Sequence, residues 1–260
     1  MIFHYRTTPI YYTLKGNGPA MVFLHGFLEH SGMWDAILPE FKANHTLLTV
    51  DFPGHGQSGN VAAVHNMELM AEVVQALLDH LDIPKATFVG HSMGGYVVMA
   101  LAELAPKKIS KLVLLNSTPA EDSPARKQNR ERALQLVPRA KDAFVGMAIN
   151  NLFSEKARMT YAVEIEKLKQ QALQFPLEGI LAAIEGMKDR KDRVGVLSSF
   201  TGDKHMICGT DDPILSYTTC KKIARQTETT FHEVSGGHMS HLENTVKIVK
   251  ILLLIENNCF

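Results

Sequence analysis

Gly90-His91-Ser92-Met93-Gly94-Gly95 sets a serine hydroxyl between glycines in the pattern G-x-S-x-G. The short apolar run Ala86-Thr87-Phe88-Val89 precedes it, and Tyr96–Leu104 follows as a stretch with helical character. A serine at a sharp strand-to-helix turn projects its Oγ above a sheet edge, where it can attack an acyl carbonyl. Gly90 and Gly94 leave room for that turn. The N-terminus of the following helix supplies partial positive charge where an oxyanion would form. A bare G-x-S-x-G also describes a glycine-rich turn without chemistry, so the reading depends on partners elsewhere in the chain.

A serine hydroxyl is a weak nucleophile at neutral pH and needs a base, and the base needs an orienting carboxylate. Both are expected downstream, at the ends of later strands. Cys208-Gly209-Thr210-Asp211-Asp212-Pro213 supplies the acid and Val234-Ser235-Gly236-Gly237-His238 the imidazole. Asp212, directly before Pro213, is the favoured acid, with Asp211 its adjacent alternative. Either aspartate could instead cap a turn. His238 is the favoured base because two glycines let its loop fold inward, whereas His241 is expected in the first turn of the final helix. A His238–His241 metal pair lacks a nearby carboxylate or cysteine in sequence and is weak. The oxyanion donors are expected to be the backbone N–H groups of Met93, after the nucleophile, and Phe27, after an earlier strand. Trp34 and Tyr96 are the expected substrate-contacting side chains, with a core or hinge role the alternative for Trp34. His25 and the Asp51–Ser58 loop read as architecture.

Elements must bring these residues together. Residues 2–14 read as two short strands broken near Pro9, and Ala20–Leu24 as a strand buried on both faces. A helix is expected over Met33–Phe41 and a strand over Thr46–Val50. Apolar positions Met67, Met70, Ala71, Val74, Leu77, Leu78 and Leu81 have helical spacing. The Ser92 strand and helix follow, then a strand over Lys111–Asn116. Alternation of this kind predicts a mostly parallel sheet with helices on both faces, with ligands outside the strands' carboxyl ends. Residues 118–195 contain no convincing strand and several amphipathic helices, such as Lys127–Leu136 and Lys156–Leu173. The α/β pattern resumes with a strand ending at Cys208-Gly209, a helix over Tyr217–Gln226, a strand near Thr229–Val234 and a last helix from about Asn244. The expected organisation is an α/β core of residues 1–117 and 196–260, with residues 118–195 as an all-helical cap.

Composition narrows the function classes. Lys+Arg and Asp+Glu both total 27, which gives no electrostatic case for nucleic acid. The cysteines, Cys208, Cys220 and Cys259, lack zinc or disulfide spacing. No secretory signal is visible, and Ile251–Ile255 is too short to span a membrane. A cytoplasmic setting with no membrane partner is expected. The dinucleotide pattern G-x-G-x-x-G and the phosphate-loop pattern are absent from the strand-to-helix turns, so no cofactor is expected.

Together, Leu24-His25-Gly26-Phe27, Asp51-Phe52-Pro53-Gly54-His55-Gly56-Gln57-Ser58, Gly90–Gly95, Gly209-Thr210-Asp211-Asp212-Pro213 and Gly237-His238 resemble the successive motifs of the α/β-hydrolase superfamily over nearly the whole chain. The resemblance implies Ser92 as nucleophile, His238 as base, Asp212 as acid, and Phe27 and Met93 as oxyanion donors. Serine at position 92 argues against the dehalogenases and epoxide hydrolases of this fold, which use aspartate there. The chain looks most like small bacterial carboxylesterases with a helical cap, including those acting on pimeloyl-carrier-protein methyl ester. That implies a small ester or acyl thioester substrate. It also implies an acyl carrier protein as a partner for the basic residues Arg126, Lys127, Arg130, Arg132, Arg139 and Lys141, unless these form a solvated helix face. Menaquinone-pathway synthases are a second relative, but Tyr96 stands where they usually carry arginine. A ligand-sensing protein on the same fold would show the same motifs.

Overall fold

The computed structural model describes residues 1–257, so Cys259 lies outside the described residues. Eight strands form one sheet in the order β1-β2-β4-β3-β5-β6-β7-β8. These are β1 Ile2–Tyr5, β2 Thr8–Lys15, β3 Ala20–Leu24, β4 Thr46–Val50, β5 Ala86–His91, β6 Ile109–Leu115, β7 Asp203–Gly209 and β8 Thr230–Val234. Pairing is antiparallel from β1 to β2 and from β2 to β4, and parallel across the rest. Leu24 is in register with both Val50 and Gly90, and Gly90 with Leu114. The loops after β3, β4, β5 and β6 therefore leave the sheet along one edge, where ligands of parallel sheets sit.

The helices are α1 Met67–His80, α2 Met93–Leu104, α3 Pro124–Leu136, α4 Lys141–Asn150, α5 Glu155–Thr160, α6 Ala162–Leu173, α7 Leu177–Lys188, α8 Val194–Ser199, α9 Tyr217–Gln226, α10 Ser240–Glu243 and α11 Thr245–Asn257. None of them is long and apolar enough to cross a membrane. One face of the sheet packs on α1, α2, α8 and α9, with Val22, Phe88, Leu112 and Leu114 meeting Val74, Leu77, Val97 and Leu101. The other face packs on the segment after β3 and on α11, through Phe23, Val89, Val113, Trp34, Phe41, Ile251 and Leu252. Burial on both faces explains why the central strands are continuous apolar runs.

Helices α3–α8 all lie between β6 and β7. Helices α3–α7 share a separate core of Phe144, Ile149, Phe153, Ile180 and Ile184, to which Leu28 and Met239 contribute from the loops of the sheet. Buried charge pins the insertion at both ends. Asp122, just before α3, faces Arg190 at 2.6 Å, and Arg130 and Arg126 as well. Arg193, at the start of α8, reaches Glu68 on α1 and Glu103 on α2 at 2.7 and 2.9 Å. A buried carboxylate or guanidinium without such partners would be strongly destabilising.

Several sequence expectations are corrected. The first two strands part at Arg6-Thr7, where Arg6 has φ 57, and not at Pro9. Pro9 is tolerated because it sits outside the β2–β4 register, which begins at Tyr12. Residues 33–41 form two 3₁₀ turns, Ser31–Trp34 and Leu38–Glu40, instead of one α-helix. The apolar pairs Trp34/Ile37 and Leu38/Phe41 are three apart, and three-residue turns put both members on the buried side. The expected Lys156–Leu173 helix breaks at Tyr161, whose hydroxyl donates to Glu243 O. His241 lies in the short α10, ahead of the final helix.

Gly94 sits where α2 crosses the end of β3, and a Cβ there would meet Leu24 O at 2.3 Å. Gly94→Ala is expected to destabilise the fold by about 1–3 kcal/mol in urea unfolding. An unchanged midpoint would show that the contact is not restrictive.

Candidate active site

The site is built on a strained turn. Ser92 links β5 to α2 with φ 49 and ψ −114, a conformation that costs a non-glycine residue on the order of 1–3 kcal/mol. Surrounding contacts hold it there. Its N–H donates to Leu115 O, and its carbonyl accepts from Ser117 Oγ and Gly95 N. A Cβ on Gly90 would lie 2.6 Å from the Gly94 backbone, and one on Gly95 would lie 2.3 Å from Ser117 Oγ. Only glycines allow α2 to start this close to the sheet.

A chain of hydrogen bonds runs from the serine into the protein. Ser92 Oγ lies 2.9 Å from His238 Nε2, and His238 Nδ1 lies 2.8 Å from Asp212 Oδ2. The Asp212 side chain is 2% exposed. Its Oδ1 accepts from the Ile214 and Leu215 N–H groups, and its Oδ2 also accepts from Asn116 Nδ2. Burial alone would raise its pKa. The nearby His238 and these donors outweigh burial and hold it below the usual carboxylate value. Asp211 is exposed, and its Oδ2 accepts from Thr210 Oγ1, so the structure selects Asp212 as the carboxylate facing His238. The two loops meet because Gly209 has no side chain, since a Cβ there would lie 2.4 Å from Gly237 O.

The N–H groups of Phe27 and Met93 have no acceptor among the described residues. Met93 opens α2, where such N–H groups are free by geometry. Phe27, Ser92 and His238 line a cavity of about 550 Å³. Its other walls include Tyr96, Pro213 and Ile214 from the core, and Ala133, Phe144, Ile149, Ile184 and Met187 from the helical insertion. A nucleophile with a base at hydrogen-bond distance, beside unpaired donors and an apolar cavity, is suited to acyl transfer.

The model for the alpha/beta hydrolase fold matches residues 19–156, more than half of the chain. This protein belongs to the alpha/beta hydrolase family. Among its relatives, the dihydrolipoyllysine-residue acetyltransferase component of the acetoin cleaving system of Pseudomonas putida is 28% identical over 91% of this chain and 63% of its own length. The pimeloyl-[acyl-carrier protein] methyl ester esterase of Nitrosomonas europaea is 38% identical over 42% of each chain. The chain thus spans less than two thirds of either relative. A solved esterase from Thermogutta terrifontis superposes with TM-score 0.88 and 28% identity, covering 94% of this chain and 92% of its own.

Within this alpha/beta hydrolase, not every expected residue reaches the cavity. Trp34 does not. It is fully buried against Phe23, 5.3 Å between ring centroids, in the core layer that packs on α11. Tyr96 does reach it, and the Arg190 guanidinium stacks on its ring at 4.0 Å. Most of the basic residues expected on the cap surface are engaged internally. Arg126 and Arg130 face Asp122, Lys127 faces Glu121, and Lys141 donates to the carbonyls of Leu173 and Phe175. Arg132 and Arg139 are exposed without an acidic partner among the described residues.

Two groups at the site were missed from sequence. Asn116 bridges Asp212 and Gly237 O, accepts from Ser240 Oγ, and sits at φ 44. Its place at the carboxyl end of β6 was the available signal. The second is a buried cluster beneath the serine, in which ligand-type atoms of Glu29, His91 and His241 lie within 4.8 Å of one another.

Burial holds three histidines neutral. It lowers His55 and His241 to about 3 and His65 to about 4. The unfolded chain takes up these protons near pH 6.5, so the stability they contribute is complete above that value and falls as the pH drops toward 4. Each should add up to about 1.4 kcal/mol of destabilisation per pH unit. Urea unfolding between pH 7 and 4 is expected to show the slope, and His65→Gln to reduce it. A flat profile across that range would contradict neutral burial.

Proposed function

We propose that this protein hydrolyses carboxylic esters or acyl thioesters through an acyl-enzyme formed on Ser92. The observation that carries this reading is the 2.9 and 2.8 Å relay from Ser92 through His238 to Asp212, opening on an apolar cavity. His238 Nε2 takes the Ser92 proton as Oγ attacks the carbonyl carbon. Asp212 fixes the ring tautomer and stabilises the imidazolium that forms. The Phe27 and Met93 N–H groups hold the tetrahedral oxyanion. The intermediate collapses, and the alcohol or thiol leaves with the proton from His238. Water, deprotonated by the same imidazole, then attacks the acyl-enzyme and regenerates Ser92.

Helices α3–α7, within residues 118–195, act as the cap, since α3, α4 and α7 complete the cavity walls around the acyl group. A volume near 550 Å³ is within the range of small-molecule sites. An acyl carrier protein as donor rests on Arg132 and Arg139, the expected cations that stay unpaired among the described residues. The location we propose is cytoplasmic, where the buried thiols of Cys208 and Cys220 would stay reduced.

The similarity to esterases of Nitrosomonas europaea and Thermogutta terrifontis supports ester chemistry. Ser92→Ala is expected to lower turnover of p-nitrophenyl butyrate by about 10⁴-fold or more, and Asp212→Asn by a similar order. Equal turnover by wild type and Ser92→Ala would refute the assignment. A single slow turnover with ligand-induced stabilisation would instead point to a sensing role. Turnover without labelling of Ser92 by a fluorophosphonate would point to lyase or synthase chemistry.

A further inference from the structure

We propose that Glu29 and His91 form a buried ion pair that positions the oxyanion-holding backbone against the nucleophile turn and the base loop. The proposal rests on the hydrolase reading above and deepens it. Glu29 and His91 are each 1% exposed. Glu29 Oε2 accepts from Gly26 N at 2.8 Å, one residue before the Phe27 donor. The same oxygen lies 2.8 Å from His91 Nδ1, and His91 directly precedes Ser92 in the chain. The other ring nitrogen, His91 Nε2, lies 2.9 Å from the backbone carbonyl of His238. One carboxylate and one imidazole therefore join three segments that chemistry requires in fixed relation: the donor loop, the serine turn and the base.

Both ring nitrogens of His91 face oxygen atoms, a carboxylate and a carbonyl, neither of which can donate. A neutral imidazole would set one lone pair against an acceptor, so the geometry calls for a proton on each nitrogen. Electrostatics agree. Burial opposes the cation, but the adjacent Glu29 carboxylate, the His238 carbonyl and the Asp212 charge outweigh it and raise the His91 pKa. Glu29 is lowered to about 2 against its own burial by His91, with smaller contributions from His241 and His25. The His238 and His241 rings also pack on His91, at 5.2 and 4.9 Å, and burial keeps His241 neutral. Gly26 must be glycine for the pair to exist, since a Cβ there would fall 2.2 Å from Glu29 Oε2 and 2.8 Å from His91 Nδ1.

These side chains also have the composition of a metal site with His241. Their hydrogen bonds favour the proton. Glu29 Oε2 and both nitrogens of His91 are already matched, and His241 Nε2 stands off at 3.9 Å from Glu29 Oε1.

A role confined to folding and a role in positioning separate in kinetics. The oxyanion exists in the transition state and not in bound substrate, so a displaced donor loop lowers kcat and leaves KM. In Glu29→Gln, with competent serines counted by end-point fluorophosphonate titration, kcat per titrated site is expected to fall by about tenfold to a hundredfold. KM should stay within about twofold, and affinity for a trifluoromethyl ketone analogue should drop in parallel with kcat. Unchanged kcat per titrated site would overturn the proposal. Should that variant not fold, ¹⁵N NMR of histidine-labelled wild type decides. His91, assigned by loss of its signals in His91→Gln, should keep protons on both ring nitrogens well above the ordinary histidine pKa of about 6.5. A singly protonated His91 there would overturn the ion pair, as would a His91 ring bound to added zinc. Absence of ester turnover by wild type would sink the hydrolase reading instead, and the NMR result would stand apart from it.

Discussion

The site depends on a serine held in a backbone conformation that it would not adopt alone. Ser92 sits at φ 49 between a buried strand and a helix that starts at once. Gly90, Gly94 and Gly95 each touch backbone or side chain at distances a Cβ could not share. The turn cannot relax without separating α2 from the sheet. That separation would expose the apolar contacts of Phe88 with Val97 and Leu101 in the core layer beneath α2. Burial of the central strands therefore stabilises the strain that presents the hydroxyl.

The remaining parts of the site are held by polar groups that would be destabilising if left unmatched. Asp212 accepts from two backbone N–H groups, from Asn116 and from His238, so its charge is distributed over several donors inside the protein. Asn116 in turn fixes the His238 loop through Gly237 O. Beneath them, Glu29 and His91 join the Gly26-Phe27 loop to the His238 loop. The insertion closes the cavity from above and is anchored by Asp122 and Arg193. Under the proposed function, the insertion would shape the acyl site while the core holds the reacting atoms, so the two could vary independently.

Much of this was legible in the chain because strand-end motifs read one at a time fall on one sheet edge. The spacing of Met67–Leu81 matches α1, which ends one residue earlier at His80, and the Tyr217–Gln226 helix matches its observed limits. Ser92 and His238 could be named because glycines announce the turns that carry them. The choice between Asp211 and Asp212 needed coordinates, since it turns on which carboxylate faces inward. Trp34 was misplaced for a related reason: an aromatic near a motif can point to either face of the sheet, and the loop after β3 turns it away from the cavity. Three of the cations expected on the insertion's surface, Arg126, Lys127 and Arg130, form ion pairs with Asp122 or Glu121, acids close to them in sequence. Asn116, Glu29 and His91 carry no spacing signature. The contacts Glu29–His91, Asn116–Asp212 and His91–His238 span 62 to 147 positions of chain, which no local pattern encodes.

The most direct test is mass spectrometry of the protein mixed with excess p-nitrophenyl butyrate and quenched in acid within the first turnovers. The account predicts one butyryl group on the intact chain, located by peptide mapping to Ser92 and lost on standing in buffer as free butyrate appears. Steady release of butyrate with no acyl group ever found on Ser92 would contradict it.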